Sequence, residues 1–147
     1  MCADVALRAM EAADASRLVE LWEASVRASH TFLTEDDIAG LVPLVADALE
    51  TALDVTVAVD EEGVILGFSG ISGSKLEALF VDPAAMGHGV GGALMRHALD
   101  VCRVWRVDVN EGNPGALAFY RKYGFLVRSR SATDAQGRPF PILHMEL

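Results

Sequence analysis

Cysteine is scarce. Two in 147 residues, Cys2 and Cys102, give neither a disulfide framework nor a zinc-ligand spacing, and such usage fits a reducing, cytoplasmic setting. Long apolar runs are missing, so a membrane span of about 18 residues is not expected. The first ten residues lack a basic stretch followed by an apolar one, so a secretion signal is not expected either. Basic residues are also few: 12 Lys and Arg stand against 21 Asp and Glu, for a formal charge of −9. Nucleic acid is therefore a poor partner, because affinity there comes largely from neutralising phosphates. His30, His88, His97 and His144 show no spacing with Cys, Asp or Glu that would hold a metal, and no G-x-S-x-G elbow presents a nucleophilic serine. Repeats, linkers and low-complexity stretches are absent, so residues 1–147 read as one domain, monomeric or homodimeric.

Hydrophobic residues make up 52 % of the chain and the mean hydropathy is +0.30, enough for a substantial core. The charge is uneven. Residues 1–62 hold 3 basic and 14 acidic side chains, a net −11, and residues 63–147 hold 9 and 7, a net +2. A phosphate-bearing ligand belongs with the second half, and a cationic partner suits the first.

Hydrophobic periodicity supplies the elements. Val5–Met10 reads as a short strand. Asp14 is expected to cap a helix carrying Leu18, Leu21, Trp22, Ser25 and Val26 at helical spacing. Thr34 and Asp37 form a capping-box pattern that opens a second helix toward Glu50, which Pro43 is expected to kink or split. Asp54–Asp60 and Val64–Ile71 flank the turn Glu61-Glu62-Gly63 as a hairpin, and Lys75–Val81 is the next strand, ended by Asp82-Pro83. A glycine-rich loop, Met86–Gly92, precedes a helix over Ala93–Val101 and a strand over Arg103–Val109. Asn113-Pro114 starts a last helix that Gly124 stops near Tyr123, and Phe125–Ser131 with Phe140–Leu147 closes the chain as a hairpin. The predicted fold is α/β (α+β), with a mixed, mostly antiparallel sheet of six or seven strands, helices on both faces and one βαβ unit.

The chemistry concentrates at Met86-Gly87-His88-Gly89-Val90-Gly91-Gly92. Glycines let a backbone approach a ligand closely, and the following helix start offers free N–H groups to an anion. An ATP-type P-loop is excluded, because Ala93-Leu94 stand where Lys and Ser/Thr are required. Gly87, Gly89 and Gly92 do match G-x-G-x-x-G. However, five residues separate the strand from Gly87, and only 39 follow Asp108, which leaves no room for the rest of a dinucleotide fold.

Coenzyme A remains, and the segment resembles the pyrophosphate motif of the GNAT superfamily of acyl-CoA-dependent N-acyltransferases, Gln/Arg-x-x-Gly-x-Gly/Ala after a strand ending near Val-x-Pro. Here the strand ends Val81-Asp82-Pro83, and Met86 departs from the pattern where Gln or Arg is usual. A second block, Asn113, Ala116, Phe119-Tyr120 and Gly124-Phe125, is similar to the family's N-x-x-A-x-x-[FL]-Y-x-x-x-G-F. The likeness is close over residues 64–127. It extends through Leu21–Leu33 and the GRPFPILHM segment to a small bacterial branch, the YjaB-like acetyltransferases.

The resemblance implies acetyl-CoA as co-substrate and no metal. It implies that Leu79, Phe80 and Val81 offer backbone groups to the pantetheine arm and acetyl carbonyl, and that Met86, Gly87, His88, Gly89, Val90, Gly91 and Gly92 surround the pyrophosphate. Asn113 and Phe119 also approach the coenzyme, and Tyr120 protonates the departing thiolate. The acceptor is a primary amine, on a small molecule, a peptide N-terminus or a lysine side chain. Its base is Glu77, His30 or water, and Trp22, Ser25, His30 and Phe32 line its pocket. The contrasting reading is a coenzyme A-binding regulatory module without turnover.

Overall fold

The computed structural model describes residues 5–147; Cys2 lies outside them. The chain runs β1 (Ala6–Ala9), α1 (Ala15–Ser29), α2 (Glu35–Asp47), β2 (Asp54–Val59), β3 (Ile65–Ser72), β4 (Lys75–Val81), α3 (Val90–Asp100), β5 (Arg106–Asn110), α4 (Pro114–Lys122), β6 (Leu126–Ser131) and β7 (Ile142–Glu146). Seven strands form one sheet in the order β1-β2-β3-β4-β5-β7-β6. Every neighbouring pair is antiparallel except β4 and β5, which α3 joins as a crossover.

Apolar stripes decide which helix covers which face. Leu18, Leu21, Trp22 and Val26 of α1 and Ile38 of α2 pack on Val57, Val59 and Phe68. On the opposite face, Met95 and Ala98 of α3 and Tyr120 of α4 pack on Leu76, Val107 and Met145, with Phe125 at the end of α4. Phe68 and Phe125 are fully buried, and truncating either to alanine costs about 3–5 kcal/mol.

Four expectations are corrected. Asp14 stands at the N-cap position of α1 but its side chain makes no cap bond there. It ends a short 3-10 turn (Ala12–Asp14), and its carboxylate accepts from the Glu11 N–H (2.8 Å) and from Arg8 (2.8 and 3.1 Å), tying α1 to β1. Pro43 does not split α2, which runs unbroken to Asp47 and on into a π turn over Ala48–Ala52. The lost N–H orphans only the carbonyl of Ala39, and both residues are exposed, so this carbonyl lies on the solvent side of the helix. The predicted strand start at Arg103 moves to Arg106, because Arg103 turns through φ 59°. Finally, α3 begins at Val90 rather than Ala93, so Gly91 and Gly92 belong to its first turn.

Two irregularities in β4 place the site. The ladder to β5 holds only two pairs, Lys75 with Arg106 and Leu76 with Val107, after which the strands part. On the other side, Gly70 faces Ala78 and Ile71 faces Leu76, leaving Glu77 as an extra residue in a bulge.

Candidate active site

The end of β4 leads into the glycine loop. Asp82 accepts from the Ala84 N–H (3.0 Å) and from Arg17 (2.6 Å), fixing the exit of the strand to α1. Those hydrogen bonds hold its carboxyl below the ordinary range: the Ala84 N–H has the largest influence, and the Arg17 bond and charge add to it against burial. Gly87 and Gly89 adopt φ values of 83° and 82°, which side-chain-bearing residues rarely reach. Gly89 is the N-cap of α3 and supplies no side-chain acceptor, so the N–H groups of Val90, Gly91 and Gly92 stand outside the helical ladder. No atom lies within 4 Å of where a Cβ on Gly87 would stand. Met86 and His88 are exposed at the loop rim.

Two side chains converge on this turn. A Cβ on Gly92 would lie 3.1 Å from the Tyr123 hydroxyl and 3.2 Å from Arg96 Nη1. Arg96 follows Gly92 by one helical turn and reaches back along α3, as helical side chains do. Gly91 faces Phe119 and Val81 instead, where a Cβ would stand 3.5–3.6 Å from both, at ordinary contact distance. The cradle has open space, free N–H groups and a guanidinium, a set that fits a pyrophosphate.

Asn113 is the N-cap of α4, its Oδ1 accepting from the Ala116 N–H at 3.1 Å. Tyr120, two turns on, is buried edge-on between Phe119 (5.4 Å) and Phe125 (6.0 Å). Burial pushes its hydroxyl far above the ordinary tyrosine range, so the proton stays on at any physiological pH.

The opposite face of β4 opens a cavity of about 420 Å³ between the sheet and α2. Trp22, Phe68, Ala78 and Phe80 form its floor and one wall. Leu41, Leu44, Val45, Ala48, Leu49, Ala52 and Leu53 form the other, and Ser72 and Gln136 stand at the edges. Among the described residues, Glu77 is the one charged residue that lines it. By simple alternation Glu77 would share a face with Leu79 and Val81; the bulge turns it to the side of Ala78 and Phe80 instead.

Of the residues expected around the acceptor, Trp22 and Glu77 line this cavity, whereas Ser25, His30 and Phe32 do not. His30 ends α1 with Nδ1 2.8 Å from Ser29 Oγ, and burial lowers its pKa. Phe32 packs between His30 (5.5 Å) and Phe140 (5.2 Å) and over Gly112, where a Cβ would meet its ring at 2.6 Å. The cavity wall from α2 was missed, although Leu41, Leu44, Val45 and Ala48 fall at helical spacing and signal an apolar stripe. Arg96 counts in the positive charge of the second half but was given no place in the cradle; its spacing of four from Gly92 was the available signal. Gln136, in the loop between β6 and β7, left no signal.

The family model for the acetyltransferase (GNAT) domain matches residues 51–127. The peptidyl-lysine N-acetyltransferase YjaB of Salmonella typhimurium is 39 % identical over 132 residues, covering 90 % of this chain and 90 % of that protein. Its namesake from Escherichia coli is 38 % identical over 141 residues, covering 96 % and 95 %. The solution structure of apo-form YjaB from Escherichia coli superimposes with a TM-score of 0.89, covering 97 % of each chain. With two sequence blocks, a split sheet and a glycine cradle in agreement, the chain belongs to the GNAT acetyltransferases.

Proposed function

We propose that this N-acetyltransferase transfers the acetyl group of acetyl-CoA to a lysine side chain of a protein or peptide, by direct attack on the thioester. The observation that carries the reading is the cavity beside Glu77: an apolar slot with a single carboxylate. A lysine presents the complement, four methylenes ending in an ammonium. The YjaB relatives are named as peptidyl-lysine N-acetyltransferases, which supports the same acceptor and disfavours a binding module without turnover.

The residues divide the work. The N–H groups of Val90, Gly91 and Gly92, with Arg96, hold the pyrophosphate, and Asn113 and Phe119 border the coenzyme. The backbone of Leu79–Val81, which meets no strand on the β5 side, runs along the pantetheine arm and offers N–H groups to the carbonyl oxygen as charge develops there. Glu77 takes a proton from the acceptor ammonium. The freed nitrogen forms a bond to the acetyl carbon, the carbon–sulfur bond breaks, and Tyr120 protonates the departing thiolate while the surplus proton on the new amide nitrogen restores the Tyr120 hydroxyl. His30 is excluded from the lining of the cavity, which favours Glu77 over it as the base.

The test is incubation with acetyl-CoA and a lysine-bearing peptide whose N-terminus is blocked, with thiol release followed and the product mapped by mass spectrometry. Acetylation of the lysine with stoichiometric thiol release is expected. Binding without thiol release, or acetylation only of an unblocked N-terminus, overturns the proposal.

A further inference from the structure

Glu77 does not stand alone at the point where β4 and β5 part. Lys75 and Leu76 make the last ladder pairs with β5, so Glu77 and Asp108 are the first residues beyond them, one on each strand. Lys75 Nζ spans the gap, 2.6 Å from Asp108 Oδ2 and 3.5 Å from Glu77 Oε1. The second oxygen of Asp108 lies 2.7 Å from His144 Nδ1, and His144 Nε2 lies 2.6 Å from Ser131 Oγ. The array crosses four strands on one face of the sheet and touches the cavity at Glu77.

We propose that Lys75, anchored on Asp108, is a positioning residue for the transfer reaction: it holds Glu77 at the cavity and sets the local charge that the acceptor ammonium meets. The inference rests on Glu77 being the base. Two carboxylates and one ammonium leave a net charge of −1 while His144 is neutral, which one incoming ammonium cancels. Lys75 also faces that ammonium as a like charge and favours release of its proton. Asp108 is suited to the anchor role. Burial disfavours its ionised form, but the hydrogen bonds from Lys75 and His144 and the charge of Lys75 outweigh this, and the carboxyl remains below the ordinary range. The charged and titratable groups around His144 are Asp108 on β5, Lys75 and Glu77 on β4, and the Arg106–Glu146 register pair one step along β5 and β7.

The experiment compares pH profiles of kcat and KM for a lysine peptide in wild type, K75M, K75R, D108N and E77Q. In K75M the apex charge falls to −2, so KM for the peptide drops. kcat drops too, and its acid limb moves upward by about one pH unit, the low end of what a neighbouring charge does to an ionisable group. K75R restores the limb. D108N raises the apex charge to zero, with the opposite result, a higher KM and a limb at lower pH. This arm decides the matter even if K75M fails to fold. A merely structural Lys75 scales kcat without moving the limb in either variant, and that result overturns the inference. If E77Q turns over at the wild-type rate, the Glu77 reading fails and the inference with it. If E77Q is slow while both limbs stay in place, only the inference fails.

Discussion

The Tyr123 hydroxyl stands 3.1 Å from where a side chain on Gly92 would begin, so the end of α4 closes over the first turn of α3 where a Cβ would be crowded. Arg96 shares that space at 3.2 Å. G92A adds about 1 kcal/mol of helix propensity but pushes both groups off the cradle. Its melting temperature is expected to hold or rise while its affinity for acetyl-CoA falls. R96A is expected to lose about tenfold in affinity through one charge-assisted contact. Calorimetric titration with acetyl-CoA checks both, and undiminished binding in R96A removes Arg96 from the site.

Tyr120 is tested by Y120F, which keeps the ring between Phe119 and Phe125. kcat is expected to fall about 100-fold, the usual size of a general-acid contribution, with the acetyl-CoA Kd unchanged. A variant with full turnover would show that the thiolate leaves without help from this hydroxyl.

Ala48 lines the cavity from the π turn after α2. A48F fills the slot meant for the lysine stem. The KM for a lysine peptide is expected to rise at least about tenfold, as pocket volume discriminates by a few methylenes, while acetyl-CoA affinity is unchanged. If lysine peptides are still used normally, the acceptor enters elsewhere.

His30 gives a pH signature in stability. Burial depresses its pKa below the ordinary 6.5, so below that pH the unfolded chain binds a proton that the folded chain refuses. Its contribution is therefore complete above pH 6.5 and is lost as pH falls toward the folded pKa. The depressed carboxyls of Asp14, Asp82 and Asp108 act in a separate window, losing their contributions only as pH falls below about their ordinary value of 3.8. Denaturant melts between pH 7 and pH 5 are expected to show a decline in wild type and a flatter line in H30F. Equal slopes would mean that His30 is hydrated in the folded state.

Much of this was legible in the sequence because the signals are local. The caps at Thr34 and Asn113 sit where the residues put them, and the glycines marked the loop. The corrections share a different cause. Asp14 has cap chemistry but a competing partner, Arg8, in another element. Pro43 has helix-breaking chemistry, but it sits on the exposed side of α2, which continues past it. The bulge at Glu77 depends on the register with β3, which no property of Lys75–Val81 alone determines. The cavity is harder still to read, since its walls come from α1, α2, β3, β4 and a distant loop.

The two-pair ladder between β4 and β5 has a consequence for the protein before any substrate arrives. Beyond Leu76 the amides of β4 that point away from β3 have no ladder partner on β5, in the middle of a sheet where such groups are otherwise paired. The sheet is in effect two blankets stitched at one end. In the proposed complex the amides of the pantetheine arm complete the weave in that seam, and the coenzyme takes the place of an eighth strand. Slow exchange of the backbone hydrogens of Leu79 and Val81 would then be a property of the complex and not of the free protein, whereas that of Phe80 already points to β3.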